Sequence, residues 1–255
     1  MHRVVSLAAA ILFYACAVPN HASAAEIKIF SPGATEGALS ELFPQFEQSS
    51  GYKVTTNYGP VGALADRLRN GEAADVAILS EPVTEKLRKQ GKLVAGSEVV
   101  VAKVGIGVFV RKGDPKPDIS SVDAFLRSLA AAKFIAYADP ALGGSTSILV
   151  GNLMNSLDVN GSIKQKTKLV PPAKPLLNLI AGGGAEFGFN PISEILPDPR
   201  LELVGPLPAP IQKYTRYVAS LVATSRQQDA FKALMAFLSS PAAVAVMKTK
   251  GFEPL

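Results

Sequence analysis

Three strand–turn–helix units in succession open this chain, and they restrict it to folds built on a parallel sheet covered by helices. Residues 26–30 read as a strand and 31–34 as a turn; Leu39, Leu42, Phe43 and Phe46 then recur at helical spacing until Gly51. Pro44 inside that helix predicts a kink. The unit repeats as a strand over 53–57, a turn over 58–62 and a helix over 63–70 stopped by Gly71. A third strand over 75–79 leads to Ser80, placed to cap a helix over 81–90. A strand returning parallel to its predecessor needs a crossover helix, so such repeats stack helices on the faces of one sheet.

A long β-rich stretch, 99–110, exceeds an ordinary strand of a small sheet and has the length to run between two lobes. The alternation then restarts with a strand over 134–138, a turn over 139–144 and a helix over 145–157. A helix over 174–181 carries Pro175 in its first turn, where proline is tolerated. Gly182-Gly183-Gly184 follows a helix and precedes a strand, the reverse of a phosphate-loop context, and reads as a helix stop. A strand over 186–190, a proline-rich connection over 206–210, a strand over 217–223 and helices over 227–239 and 242–250 complete the chain.

Composition removes much of the catalytic repertoire. The start has the anatomy of a secretory signal peptide: Arg3, an apolar run over 4–18, and Ala22-Ser23-Ala24 as a cleavage site. The run is shorter than the roughly 20 residues that span a bilayer, and Phe13-Tyr14-Ala15 before Cys16 is a poor lipobox, so the expectation is a cleaved leader over 1–24 and a periplasmic protein. Both histidines, His2 and His21, and the one cysteine fall within that leader. Beyond it, a Ser-His-Asp triad, histidine or thiolate metal sites and a cysteine nucleophile are excluded. No metal, no cofactor and no catalytic residue is expected. Removing Arg3 takes the net charge from +5 to +4. The basic residues are dispersed without aromatic interleaving, which argues against nucleic acid and fits a small anionic ligand.

In an open parallel sheet, ligands bind beyond the carboxyl ends of the strands. Those places hold small-residue turns leading into helices: Gly33, Ala34 and Thr35; Pro60, Val61 and Gly62; Gly144, Ser145 and Thr146. Small side chains let an anion approach backbone N–H groups at a helix N-terminus. Ser80 and Asn190 follow strand ends in the same way and are expected at the cleft edge. Lys103, Arg111 and Arg216 are candidate charge partners.

Several stretches are similar to the periplasmic molybdate-binding proteins of ABC importers and to the wider type II periplasmic binding proteins. They are Ile29-Phe30 with Ala38-Leu39 and Phe46-Glu47, Tyr58-Gly59 with Gly62-Ala63-Leu64, Ala74-Asp75-Val76-Ala77-Ile78, and Ala138-Asp139-Pro140. The tail adds Ala230-Phe231, Phe237-Leu238-Ser239-Ser240-Pro241 and Lys250-Gly251-Phe252. The resemblance implies an α/β fold of two lobes, each with a mixed, mostly parallel sheet, and a ligand cleft between them. Lobe one is expected over 25–103 plus 216–255 and lobe two over 104–215. It implies a monomer that delivers its ligand to a membrane permease and ATPase.

The family's oxyanion is held by a serine in each of the first two turns; here Ala34 and Val61 stand there, and Phe189-Asn190-Pro191 stands where a tyrosine is expected. Losing hydroxyl donors disfavours molybdate or tungstate and favours an organic polycarboxylate. The alternative is a periplasmic isomerase of a small tricarboxylic acid such as aconitate. That chemistry needs a base and carbanion-stabilising donors; without histidine, Lys103, Tyr58 or a carboxylate has to serve.

Overall fold

The computed structural model of the protein describes residues 26–158 and 160–253; the leader read at 1–24 lies outside the described residues. The three opening units form as strand β1 (Glu26–Pro32), helix α1 (Gly33–Ser50), β2 (Lys53–Gly59), α2 (Val61–Arg69), β3 (Val76–Ser80) and α3 (Glu81–Lys89). β1 lies between β2 and β3 and is parallel to both, with Ile27 opposite Val54 and Ile29 opposite Val76. The sheet is mixed because β9 (Tyr214–Leu221), arriving from far along the chain, pairs antiparallel with β3.

β4 (Val99–Arg111) is the strand that runs between the two halves of the molecule. Its first part, through Gly105, pairs with β9, and Lys103 and Val104 also pair with the short β10 (Phe252–Glu253). From Ile106 onward it pairs with two later strands, β7 (Phe187–Pro191) and β8 (Leu201–Pro206). The second half is completed by α4 (Val122–Ala131), β5 (Ile135–Ala138), α5 (Ser145–Leu157), α6 (Ser162–Lys166), β6 (Thr167–Val170), α7 (Lys174–Ala181) and α8 (Ile192–Ile195). β5 pairs parallel with both β6 and β7. The strand order β2-β1-β3-β9-β4-β7-β5-β6 is therefore continuous only through β4. The chain ends with α9 (Gln228–Leu238) and α10 (Pro241–Thr249), which cover the first half before β10.

The buried side chains follow the same division. One core joins residues from Ile27 to Val104 with residues from Tyr217 to Phe252. The other half has a core on each face of its sheet: Phe125, Phe187 and Phe189 centre one, and Leu176, Ile180 and Ile195 the other. Edge-to-face contact of Phe125 and Phe187 with Phe189 orders the first of these. Gly107 has a specific role there. A Cβ at that position comes within 2.8–2.9 Å of Ile195, Leu203 and Ile192. Only glycine lets α8 pack this closely on β4.

Three local expectations need adjustment. Ser31 and Pro32, expected in a turn, finish β1, because pairing to β2 extends through Pro32 opposite Gly59. Ser80 is the N-terminal cap residue of α3, but its side chain makes no capping hydrogen bond. α4, α6, β6, α8, β8 and β10 have no counterpart in the sequence reading. α6, β6 and β10 are too short for a period to show, and β8 takes its identity from its partner β4.

Candidate functional site

A cavity of about 280 Å³ lies where the ends of several strands meet, between α1 and α2 on one side and β7, α8 and α5 on the other. The cap residues of five helices line it: Pro32 before α1, Pro60 before α2, Gly144 before α5, Ala173 before α7 and Pro191 before α8. None of the five has a side-chain acceptor, and none makes a side-chain cap. Elsewhere Ser121 and Ser240 cap α4 and α10 by accepting from Ala124 and Ala243 N–H. The first-turn N–H groups of a helix lack intrahelical partners. With proline, glycine or alanine as cap, those donors receive no side-chain acceptor from the cap residue.

Ala173 is the sole non-glycine residue with positive φ among the described residues, at φ 66° and ψ −131°. Such a conformation costs on the order of 1–3 kcal/mol and clusters at binding sites.

The side chains of the cavity are unevenly distributed. Ala34 and Val61 line it from the first turns of α1 and α2, at 4% and 3% exposure. Ser145, Thr146, Ser147, Asn190 and Glu194 line the opposite wall, with Tyr217 between them and Glu36 and Tyr58 on the first side. Asn190 Nδ2 donates to Glu194 Oε2 at 2.8 Å. Thr146 Oγ1 lies 3.2 Å from Thr215 Oγ1, and Ser193 Oγ ties α8 to α1 by donating to the Ala34 carbonyl at 2.8 Å. Across the mouth, Gly62 N–H donates to the Gly143 carbonyl at 3.3 Å, so α2 and the turn before α5 touch through two glycines.

The electrostatics are equally uneven, because no lysine or arginine lines the cavity while two carboxyls do. Glu194 is held above the ordinary glutamate range by desolvation; the Asn190 hydrogen bond opposes this and the neighbouring Glu36 adds to it. Its side chain keeps some accessible surface because it faces the cavity, yet protein atoms enclose it deeply enough for desolvation to dominate. Tyr217 is buried and pushed well up, first by desolvation and then by Glu194. Tyr58 is raised by burial against hydrogen bonds from Ser40 and Thr56.

The structure brings together Gly33, Ala34, Pro60, Val61, Gly144, Ser145, Thr146 and Asn190, as the strand-end argument expects. Thr35, Gly62, Ser80, Lys103 and Arg216 are not among the lining residues. Thr35 is buried, its hydroxyl donating to the Pro32 carbonyl at 2.8 Å and contacting Ser31 at 2.6 Å. Gly62 spends its N–H on Gly143. Lys103 pairs with Glu253 at 3.1 Å and stacks over Tyr214, Arg216 pairs with Glu81 at 3.6 Å, and Arg111 pairs with Asp114 at 2.9 Å. Each of the three expected cations is thus engaged with a carboxylate elsewhere. Glu36, Glu194 and Tyr217 went unrecognised as lining residues. Glu36 in the first turn of α1 and Glu194 four residues after Asn190 follow strand ends, and that position was their only signal. No group of three or more metal-ligating side chains is present among the described residues.

Residues 27–253 match the model of the family described as bacterial extracellular solute-binding protein. An aconitate isomerase of a Pseudomonas species is 32% identical over 234 residues, covering 90% of this chain and 88% of the relative. The molybdate-binding protein ModA of Azotobacter vinelandii is 28% identical over 258 residues, covering 98% of this chain and 96% of the relative. The solved structure of the Azotobacter vinelandii periplasmic molybdate-binding protein superposes with a TM-score of 0.74, at 20% identity over 90% of this chain and 99% of that one. The chain belongs to the bacterial extracellular solute-binding protein family and has the two-lobed fold of its molybdate-binding-like members.

Proposed function

We propose that this member of the family captures a small organic polycarboxylate in the cavity between its halves and presents it to the permease and ATPase of an ABC importer in the periplasm. The observation that carries the ligand class is the convergence of five helix starts whose cap residues have no acceptor of their own. Several separate N–H clusters suit a ligand with several separate carboxylates. A compact tetrahedral oxyanion is less well matched, because Ala34 and Val61 supply no hydroxyl. The relative named aconitate isomerase supports the same ligand class. Lys103 and Arg216 have no part in this reading. Capture rests on backbone donors and on the Ser145, Thr146 and Asn190 side chains. The division at β4 supports lobes over 25–103 plus 216–255 and over 104–215, closing by hinge motion around the ligand.

A second reading has its own support. Glu194 is a carboxyl of raised pKa inside the cavity, with Tyr217 and Tyr58 beside the same space. A carboxyl of raised pKa can exchange a carbon-bound proton, and helix N-termini can stabilise the resulting carbanion. On that reading the protein isomerises a small tricarboxylic acid such as aconitate. One experiment addresses both. A thermal-shift series with molybdate, tungstate, citrate and cis- and trans-aconitate tests the ligand class, since a ligand of the folded state raises the transition temperature. Proton NMR of each aconitate isomer incubated with the protein tests turnover. A shift with molybdate alone ends the polycarboxylate reading; binding of aconitate without interconversion ends the isomerase reading.

A further inference from the structure

The cavity poses an electrostatic problem for an anionic ligand. It holds Glu36 and Glu194 and no cationic side chain. Glu36 is exposed, whereas Glu194 faces the enclosed part. Its two oxygens have different surroundings. Oε2 accepts from Asn190 Nδ2 at 2.8 Å. Oε1 lies 3.8 Å from the place a Cβ would occupy on Gly33, toward the start of α1. In the free protein, that helix start therefore has Glu194 as its nearby anion.

A ligand carboxylate entering the cavity takes over that place. It satisfies the α1 N-terminus, removes water and sets a second negative charge beside Oε1. All three changes disfavour an ionised Glu194. We propose that Glu194 is the proton carrier of the cavity: it meets the bound ligand as a neutral carboxylic acid, with Oε2 held by Asn190 and Oε1–H donating to a ligand carboxylate. Capture of one ligand then takes up one proton from solvent. No bond other than O–H forms, and the carboxyl changes from acceptor to donor.

The surroundings of Glu194 leave it as the group able to respond. α1 contributes Glu36, which favours the neutral form. β9 contributes Tyr217, whose proton is held well above neutral pH and does not exchange in the working range. β7 contributes Asn190, which does not titrate. Toward β4 and β8, α8 packs through Ile192 and Ile195 against Gly107 and Leu203, which are apolar. Burial already raises the pKa of Glu194 in the free protein, so ligand entry pushes it further in the same direction.

This inference rests on the anion-binding reading of the cavity, and the test separates the two. Calorimetric titration of trans-aconitate into the full-length mature protein, in two buffers of different ionisation heat, counts the protons exchanged. At about pH 7–8 the ligand's own carboxylates are ionised, because such groups titrate near pH 4. The expected result is uptake approaching one proton per ligand, with affinity falling as much as about tenfold per pH unit above the pKa of free Glu194. E194Q, which presents a permanent neutral donor, should bind with no proton uptake and a flat pH profile. Carboxyl-carbon NMR of the glutamate-labelled wild-type protein gives a check that needs no variant: one glutamate should remain protonated at neutral pH when ligand is bound. Binding without proton uptake, or uptake that persists in E194Q, overturns the proposal and leaves the ligand reading standing. Absence of binding to citrate and to both aconitates overturns both.

Discussion

The wall built by α1 and α2 and the wall built by β7, α8 and α5 face the same cavity with different chemistry. On the first, Ala34 and Val61 are apolar and buried at the helix starts, the Thr35 hydroxyl is turned back on Pro32, and Glu36 and Tyr58 are the polar lining. On the second, Asn190, Glu194, Ser145 and Thr146 present polar side chains. Both walls start helices with cap residues that cannot cap, so both offer backbone donors. The difference teaches that general attraction for anions and choice among them are separable. Backbone N–H groups attract any anion of suitable size, while side-chain hydrogen bonds discriminate by geometry and protonation.

The comparison can be broken most directly at Asn190. Asn190→Leu keeps the volume but removes the donor to Glu194 Oε2, which sits at 2.8 Å. Asn190 also lines the cavity as a donor for the ligand; a hydrogen bond to a charged ligand carboxylate contributes roughly 1.5–3 kcal/mol, so polycarboxylate affinity measured by calorimetry should fall about tenfold or more. An unchanged affinity would mean that the polar wall does not select the ligand.

Glu194→Gln addresses the same wall through stability. The folded-state pKa of Glu194 is raised, so the native state holds its proton more tightly than the unfolded chain. That contribution is fully present below the ordinary glutamate pKa of about 4.3 and is lost as pH rises through the folded value. The variant should gain stability relative to wild type near pH 7–8 and lose that advantage near pH 4. For a chain of this size, each kcal/mol moves the melting temperature by about 2–4 °C. Calorimetric scans at the two pH values decide it, and an equal difference at both would contradict the raised pKa.

The helix starts of the first wall can be sharpened rather than broken. Val61→Ser or Ala34→Ser places a hydroxyl where the first turns of α2 and α1 now lack one. A neutral hydrogen bond contributes roughly 0.5–1.5 kcal/mol. The response to molybdate in a thermal-shift titration should therefore rise a few-fold, with a smaller change for polycarboxylates. If both ligand classes gain equally, the two walls do not divide the work as described.

The smallest effect is expected outside both walls. Lys103→Met and Arg216→Met remove cations paired with Glu253 and Glu81, away from the cavity lining. Exposed ion pairs contribute about 0–1 kcal/mol, so ligand affinity should change by less than about twofold. A tenfold loss in either variant would bring a cation back into the site.

Much of the scaffold was legible because its signals are local. The helix over 145–157 and that over 174–181 appear with the expected bounds, since apolar spacing and first-turn proline are properties of adjacent residues. Gly182-Gly183-Gly184 stops α7 as read, with Gly183 at φ 73°. The strand ends were less legible. Ser31 and Pro32 carry turn chemistry, and only pairing with Tyr58 and Gly59 keeps them in β1. Among candidate site residues, Gly33, Ala34, Pro60, Val61, Gly144, Ser145, Thr146 and Asn190 share a cavity, whereas Thr35, Gly62 and Ser80, at the same kind of turn, do not line it. Lys103 and Arg216 were chosen for charge alone, and charge does not reveal that Glu253 and Glu81 stand opposite them.

The order of strands and helices, the absence of histidine and cysteine beyond residue 21 and the small residues at the turns are determined by the sequence itself. They are matters of composition and short-range period, and they restrict the chemistry to carboxyls, hydroxyls and backbone donors. The tertiary structure alone decided which turns share a cavity, that Glu194 and Tyr217 face it, and that Lys103, Arg111 and Arg216 do not. Those outcomes depend on contacts between residues far apart in sequence, such as Ser193 with Ala34 and Thr146 with Thr215. Desolvation and opposing charge act through space, so the pKa of Glu194 is set by the walls that close around it.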